Sequence, residues 1–156
     1  MNRSAKKNIT ILILLSLFYT GFLRSAGQSF TELNSDIRGT VYKSLEVNSN
    51  ILENKLMYSI YLPPYYHTSN DSFPVLYLLH GIRGDETSWI NRCEIHFIID
   101  SLIQIKEAPP LIIVMPDGKN SYYINDYMLQ YPYEDMFIKE LIPYIDSTYK
   151  TIPHTG

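Results

Sequence analysis

The sequence predicts an α/β fold in which an antiparallel hairpin leads into a parallel sheet with flanking helices. Two segments at the start of the fold alternate apolar and polar residues, as half-buried strands do. Two later runs, residues 73–79 and 111–115, are continuously apolar, which is typical of strands buried on both faces of a parallel sheet. Each run is followed by apolar residues at helical spacing, so the second half of the sequence predicts β-α-β units. The chain of 156 residues has room for one domain, which we place at residues 39–156.

The hairpin comes first. Its strands are predicted over residues 39–47 and 55–62, and residues 48–54 between them are rich in Asn and Ser, as turns are. Alternation places four side chains on one face of each strand: Val41, Lys43, Leu45 and Val47 on the first, and Leu56, Tyr58, Ile60 and Leu62 on the second. Two prolines at positions 63 and 64 end the second strand, because proline cannot donate to a ladder.

Two helices follow the apolar runs. The spacing of Phe97, Ile98, Ser101, Leu102 and Ile105 predicts a helix over residues 94–105 with these side chains on one face. After the second run a tyrosine-rich loop covers residues 119–132. A second helix is predicted over residues 133–149, with Phe137, Leu141, Tyr144 and Ile145 facing inward and a kink at Pro143.

The first 27 residues have the order of a secretory signal peptide. Three positive charges, Arg3, Lys6 and Lys7, precede an apolar run over residues 9–23, and small residues at positions 25–27 offer a cleavage site. The run is short for a membrane span, which needs about 20 apolar residues. A retained N-terminal anchor is the alternative. We therefore expect a secreted or periplasmic protein, with residues 28–38 as a flexible lead-in.

Charge and cysteine content exclude several classes of function. The net charge is −3, and without residues 1–27 it becomes −7, from 9 Lys and Arg against 16 Asp and Glu. Such a surface repels phosphate backbones, so nucleic acid is not expected as a partner. Cys93 is the only cysteine, which excludes an intramolecular disulfide and a cysteine-rich metal site. We interpret it as a buried thiol on a helix, and we expect no cofactor and no metal.

The turn after the first apolar run carries the chemistry. It reads His80, Gly81, Ile82, Arg83, Gly84. Acyl transfer needs hydrogen-bond donors aimed at the oxygen that becomes negative in the tetrahedral intermediate, and backbone N–H groups of a tight turn can supply them. Here the donor would be the Ile82 N–H. The pentapeptide alone fits an ordinary strand-to-helix turn equally well.

Four stretches together resemble one family. They are similar to the esterase D-like branch of the α/β-hydrolases, which includes feruloyl and acetylxylan esterases, S-formylglutathione hydrolases and mycolyltransferases. The stretches are residues 73–89, the hairpin segments 41–45 and 58–66, residues 110–118 and residues 133–149. The resemblance covers residues 39–156 and implies the N-terminal part of an α/β-hydrolase fold. It further implies a serine carboxylic-ester hydrolase whose substrates are acyl esters. With the signal-like segment we expect this enzyme to be exported, which favours esters on carbohydrate.

The resemblance also implies roles for individual residues. Ile82 corresponds to the oxyanion-hole donor, and Arg83, Trp89 and Asp117 correspond to substrate-binding positions. His80 is expected to support the turn and not to act as the base, which the family places after the serine. The other histidines (His67, His96 and His154) are expected to be incidental. The 14 tyrosines fit either packing at sheet faces and loop mouths or a sugar-stacking surface.

No Gly-x-Ser-x-Gly elbow occurs in the sequence. We therefore expect no catalytic residue in this chain, with the Ser/Asp/His triad beyond Gly156 and the chain inactive alone. The alternatives are a catalytically inactive relic or binding module of the same fold, or an acyltransferase of the same family. Without a neighbouring strand, residues 75–79 would form an apolar sheet edge, so self-association and poor solubility are expected.

Overall fold

The computed structural model describes residues 37–128 and 130–152, and its four strands form one mixed sheet. The strands are β1 (Thr40–Ser49), β2 (Asn54–Leu62), β3 (Val75–Tyr77) and β4 (Ile112–Pro116), in the spatial order β1-β2-β4-β3. Pairs β1–β2 and β2–β4 are antiparallel, and β3–β4 is parallel. This confirms a hairpin that leads into a parallel pair. The signal segment 1–27, most of the lead-in and His154 lie outside the described residues.

The first two helices pack on one face of the sheet and the last two on the other. They are α1 (Ser88–Asn91), α2 (Ile95–Gln104), α3 (Tyr133–Met136) and α4 (Ile142–Thr148), with a π-helical turn over Phe137–Leu141 between the last two. The sequence did not predict α1. Pro143 explains the π-helical turn: it lacks an N–H and its ring would meet the carbonyl four residues back. The wider turn before it, in which the Ile142 N–H bonds to the Phe137 carbonyl, takes the place of the predicted kink.

A β-bulge in β1 overturns the predicted face of that strand. The register shifts between Tyr42 and Leu45, where three steps along β1 match two steps along β2. Ser44 has a φ of 53°, and its N–H donates to the Ser59 hydroxyl at 3.1 Å. An extra residue inverts the alternation of side chains. Val41 therefore packs with one core cluster, whereas Leu45 packs with the other.

Two clusters of apolar side chains cover the two faces of the sheet. The predicted face of β2 is confirmed, because Leu56, Tyr58, Ile60 and Leu62 all lie in the larger cluster with residues of α3 and α4. The smaller cluster joins Tyr61 and β4 to Ile90 of α1 and Ile99 of α2. Every residue of β4 is buried. The sheet is thus covered on both faces at β4, as a doubly buried strand requires.

The helix predicted over residues 94–105 is present as α2, but the face that carries its apolar spacing is not the buried one. Phe97, Ile98, Leu102 and Ile105 are each more than one-third exposed. The buried side chains are Ile99 and Asp100, and the Asp100 Oδ1 accepts hydrogen bonds from the Tyr61 hydroxyl at 2.7 Å and the Gly39 N–H at 2.8 Å. A buried carboxylate is tolerated only when it is hydrogen-bonded. These two bonds orient the helix with Asp100 inward, which apolar periodicity could not predict.

Strand β3 is shorter than predicted and lies at the sheet edge. The predicted run 73–79 contains a three-residue strand, and Leu76 is 46% exposed. The chain after α4 begins to pair beside it: the Phe73 N–H donates to Lys150 O at 2.8 Å, and the Ile152 N–H donates to Phe73 O at 2.9 Å. Self-association through this edge stays a prediction.

Two other features bear on the sequence-based expectations. Cys93 is exposed in the turn between α1 and α2, so the interpretation as a buried helical thiol was wrong. The turn places it outside both packed clusters, since α2 begins only at Ile95. Across the part of the chain that the structure describes, none of the helices is long and apolar enough to cross a bilayer.

Buried tyrosines predict a loss of stability at alkaline pH. Burial raises the pKa of Tyr58, Tyr61 and Tyr133 far above the ordinary value of about 10, and raises that of Tyr123 to about 12. Their contribution to stability is fully present below pH about 10, where the unfolded chain also keeps its protons, and is lost as the pH rises through the folded values. Urea midpoints should therefore fall between pH about 10 and 12. An unchanged midpoint accompanied by complete tyrosinate absorbance would contradict this.

Candidate active-site cleft

The parallel pair β3–β4 positions a cleft at the carboxyl ends of both strands. Loops that leave adjacent parallel strands meet at that edge, where α/β sheets bind ligands. The cleft has a volume of about 550 Å³. One wall comes from the loop after β3 and the other from the loop after β4; the lining residues are His80, Gly81, Ile82, Arg83, Lys119, Asn120, Tyr122 and Tyr123.

The turn over residues 81–84 presents the Ile82 amide. The Gly84 N–H donates to Gly81 O at 3.0 Å, and Arg83 has a φ of 62°. A positive φ at the third turn residue is the signature of a type II turn, where glycine is favoured. Among the described residues no group accepts a hydrogen bond from the Ile82 N–H. That amide is therefore available to a bound group, and its oxyanion role stays a prediction.

His80 holds the turn from inside. Its Nε2 accepts a hydrogen bond from the Gly118 N–H at 2.9 Å, and its Nδ1 lies 2.8 Å from Gly81 O. This pattern assigns the proton to Nδ1. Asp117 Oδ1 lies 3.5 Å from Nε2, but Nε2 already accepts from Gly118, so the contact joins two acceptors and is not an ion pair. His80 has the supporting position that the sequence predicted.

Tyr123 fixes the backbone of His80 and was missed by the sequence analysis. Its hydroxyl accepts the His80 N–H at 2.8 Å and donates to His80 O at 3.0 Å. Burial raises the pKa of Tyr123 to about 12, so the hydroxyl keeps the proton that it donates. The ring lies so close to Gly118 that a Cβ there would collide with it. The only sequence signal was the richness of this loop in tyrosine, which does not single out one residue.

Trp89 and Asp117 are not among the residues that line the cleft. The Trp89 indole N–H donates to Leu79 O at 3.0 Å and thereby anchors the backbone that enters the turn. Asp117 Oδ1 accepts the Lys119 N–H at 2.8 Å and shapes the start of the other wall. Of the four predicted site residues, Ile82 and Arg83 therefore line the cleft together. Direct substrate contacts of all four stay predictions.

Tyrosines take the packing role that the sequence left open, and sugar stacking stays a prediction. Tyr58, Tyr61 and Tyr133 are fully buried and serve packing. Tyr133 also supports the cleft wall, because its ring meets the Tyr123 ring edge-on with centroids 5.4 Å apart. Tyr122 is 75% exposed at the cleft, where its ring can stack on a ligand. His67 and His96 do not line the cleft.

A mixed sheet whose third strand ends in a turn with an available amide is the arrangement found in serine esterases of the α/β-hydrolase fold. Solved structures agree. A ferulic acid esterase superposes with a TM-score of 0.68 and 29% identity over 75% of this chain and 47% of its own. An S-formylglutathione hydrolase from Agrobacterium tumefaciens shares the fold, with a TM-score of 0.60 and 17% identity over 76% of this chain and 47% of its own.

Sequence relatives define the family. The chain is 34% identical over 101 residues to an endo-1,4-beta-xylanase/feruloyl esterase of Xylanibacter ruminicola. The aligned region covers 60% of this chain and 14% of the relative. It is 29% identical over 97 residues to an esterase of Mycobacterium tuberculosis, and this aligned region covers 60% of this chain and 20% of the relative. The Esterase family model matches residues 49–155. The chain belongs to this esterase family, as the resemblance implied, and it spans less than half the length of these relatives.

Proposed function

We propose that this chain forms the oxyanion-donor side of the active site of an exported serine carboxylic-ester hydrolase. The observation that carries the proposal is the Ile82 N–H, which has no acceptor among the described residues and lies in the turn that lines the cleft. The turn is held at its base by the His80 ring and by the Tyr123 hydroxyl. A donor fixed before the reaction stabilises developing charge without reorganising.

The chemistry follows from that donor. A serine attacks the ester carbonyl, the carbonyl oxygen takes up negative charge, and the Ile82 N–H donates to it. In this fold the second donor is the backbone N–H that follows the nucleophile. The sequence of 156 residues has no Gly-x-Ser-x-Gly elbow. We therefore propose that the serine, its histidine and its carboxylate come from outside these residues, and that Ile82 and Arg83 contribute one wall.

The substrate class that we propose is an acyl ester on carbohydrate, such as an acetyl or feruloyl ester. Two relatives support it by their names, a ferulic acid esterase and an endo-1,4-beta-xylanase/feruloyl esterase. The signal-like residues 1–27 favour an external substrate over S-formylglutathione, an intracellular thioester. At the cleft, Tyr122 offers an exposed ring and Asn120 offers an amide, both of which suit sugars.

The test compares the chain with an extended version of itself. The chain alone is expected to give no p-nitrophenyl acetate hydrolysis above buffer, because it has no serine elbow. A chimera that joins the chain to the serine-bearing half of the 29%-identical ferulic acid esterase should turn over the ester. Activity of the chain alone that is abolished by mutating one of its own serines would contradict the proposal. So would a chimera that melts cooperatively but is inactive.

A further inference from the structure

The cleft carries an unbalanced positive charge. Arg83 and Lys119 are the cations among its lining residues, and none of those residues is a carboxylate. Asp117 does not line the cleft, but its Oδ1 lies 3.5 Å from His80 Nε2 and its side chain is 15% exposed, so two exposed cations face one largely buried carboxylate. The chain as a whole has a net charge of −3, so the cleft opposes the sign of its surroundings. A cleft of one sign focuses the field and concentrates ligands of the opposite charge. The lining therefore favours an anionic ligand over a neutral one.

Both cations are available to a ligand. Among the described residues, neither the Arg83 guanidinium nor the Lys119 ammonium has a salt-bridge partner. Lys55 and Lys139 form salt bridges, and Lys150 donates to two backbone carbonyls. Arg92 and Lys106 also lack a salt-bridge partner among the described residues, but they do not line the cleft. An arginine can bind a carboxylate through two parallel N–H donors, and a lysine adds a point charge.

The backbone also bears on these two positions. Arg83 has a φ of 62° and Lys119 a φ of 47°. Left-handed backbone is unfavourable for residues other than glycine by about 1–2 kcal/mol, yet both positions carry cations where glycine would fit more easily. Strained residues of this kind cluster at ligand-binding sites. Seven other described residues besides glycine also have a positive φ, and Glu94 and Lys106 among them lie outside the cleft. The backbone is therefore compatible with a binding role for Arg83 and Lys119 but does not single them out.

Arg83 and Lys119 lie at the rim of the cleft, and this position decides which part of the substrate they can contact. His80 and Tyr123 form the inner wall and are buried or half-buried, whereas Arg83, Lys119 and Asn120 are exposed at the rim. Ile82 is itself 71% exposed, so a carbonyl bound at its amide leaves Arg83 and Lys119 facing the larger part of the substrate, which under the proposed function is the carbohydrate. The anion is thus expected on the sugar.

We propose that the rim of this cleft binds a carboxylate on the carbohydrate, so that the substrate class is an acyl ester of an acidic, uronic-acid-containing oligosaccharide. This rests on the proposed function, because the carbonyl at Ile82 orients the sugar toward Arg83 and Lys119. Carboxylate binding can nevertheless be measured without any ester, so the two proposals can fail separately.

The test is an amide NMR titration of the full chain, in its monomeric fraction, with methyl β-D-glucuronoside and methyl β-D-glucoside. The glucuronoside should shift the amides of Ile82, Arg83 and Lys119 saturably and bind at least about fivefold more tightly than the glucoside. Arg83→Gln and Lys119→Gln should each weaken glucuronoside binding about fivefold. Lys106→Gln is the matched control: Lys106 is exposed, has a φ of 61° and does not line the cleft. It should leave binding unchanged.

Three outcomes would overturn the inference. The first is equal binding of the two glycosides, and the second is no binding of the glucuronoside. The third is acetate binding as tightly as the glucuronoside with the same dependence on Arg83 and Lys119, because the cations would then recognise the acid product. In each case an active chimera on p-nitrophenyl acetate would leave the proposed esterase function standing.

Discussion

Replacing Ile82 with proline in the active chimera is expected to lower kcat for p-nitrophenyl acetate by about 10²–10³-fold, the usual effect of removing one oxyanion donor. Proline removes the N–H and leaves the turn intact, since Ile82 is the second residue of a turn closed by the Gly84 N–H and Gly81 O. That position of a type II turn favours proline. KM should change little, because the donor acts mainly in the transition state.

Ile82→Ala is the matched control for this prediction. It keeps the N–H and removes a side chain that is 71% exposed, so kcat should stay within a few-fold of the parent. Equal losses in the two variants would mean that the side chain matters and the amide does not. A proline variant with full activity would remove Ile82 from the oxyanion hole altogether.

The Tyr123→Phe substitution is expected to destabilise the chain by about 1–3 kcal/mol, because it leaves the His80 N–H and C=O without the hydroxyl that pairs both. In the chimera it should also lower kcat by about 10–100-fold. A small displacement of a catalytic donor is enough for a loss of that size. Urea unfolding of the chain measures the first effect, and initial rates of the folded chimera measure the second.

Tyr122→Phe is the control that separates this effect from general changes in the loop. Tyr122 is the preceding residue, has a similar φ of 54° and is 75% exposed. Its loss of a hydroxyl should change stability by less than about 0.5 kcal/mol. If Tyr123→Phe and Tyr122→Phe gave the same midpoint and the same kcat, the clamp on His80 would have no role.

Both predictions concern the contacts that hold the Ile82 turn in place. Gly81, Ile82 and Arg83 are all exposed, so we expect the rigidity of this turn to depend on groups of the opposite loop. The Gly118 N–H holds the His80 ring, and the Tyr123 hydroxyl holds the His80 backbone. A change in the loop after β4 is therefore expected to reach the oxyanion donor although it touches no substrate. This coupling predicts that the loop after β4 helps to position the proposed donor.

Much of this protein could be predicted because its patterns are local. The alternation in residues 55–62 gave the buried face of β2, and the apolar run at 111–115 gave a fully buried strand. Four stretches taken together identified the family, and the turn after the first apolar run gave one wall of the cleft with Ile82 and Arg83. These features depend on neighbouring residues alone, which a linear sequence displays directly.

The sequence by itself determined the α/β class, the hairpin followed by a parallel pair, and the turn that bears Ile82. Only the tertiary structure decided the bulge at Ser44, the inward face of α2 at Asp100 and the clamp of Tyr123 on His80. Each of these is a hydrogen-bond choice between residues that are 15 to 43 positions apart. The periodicity of apolar residues predicts which face of an element is apolar. It does not predict which distant residue will form a hydrogen bond with a buried polar group.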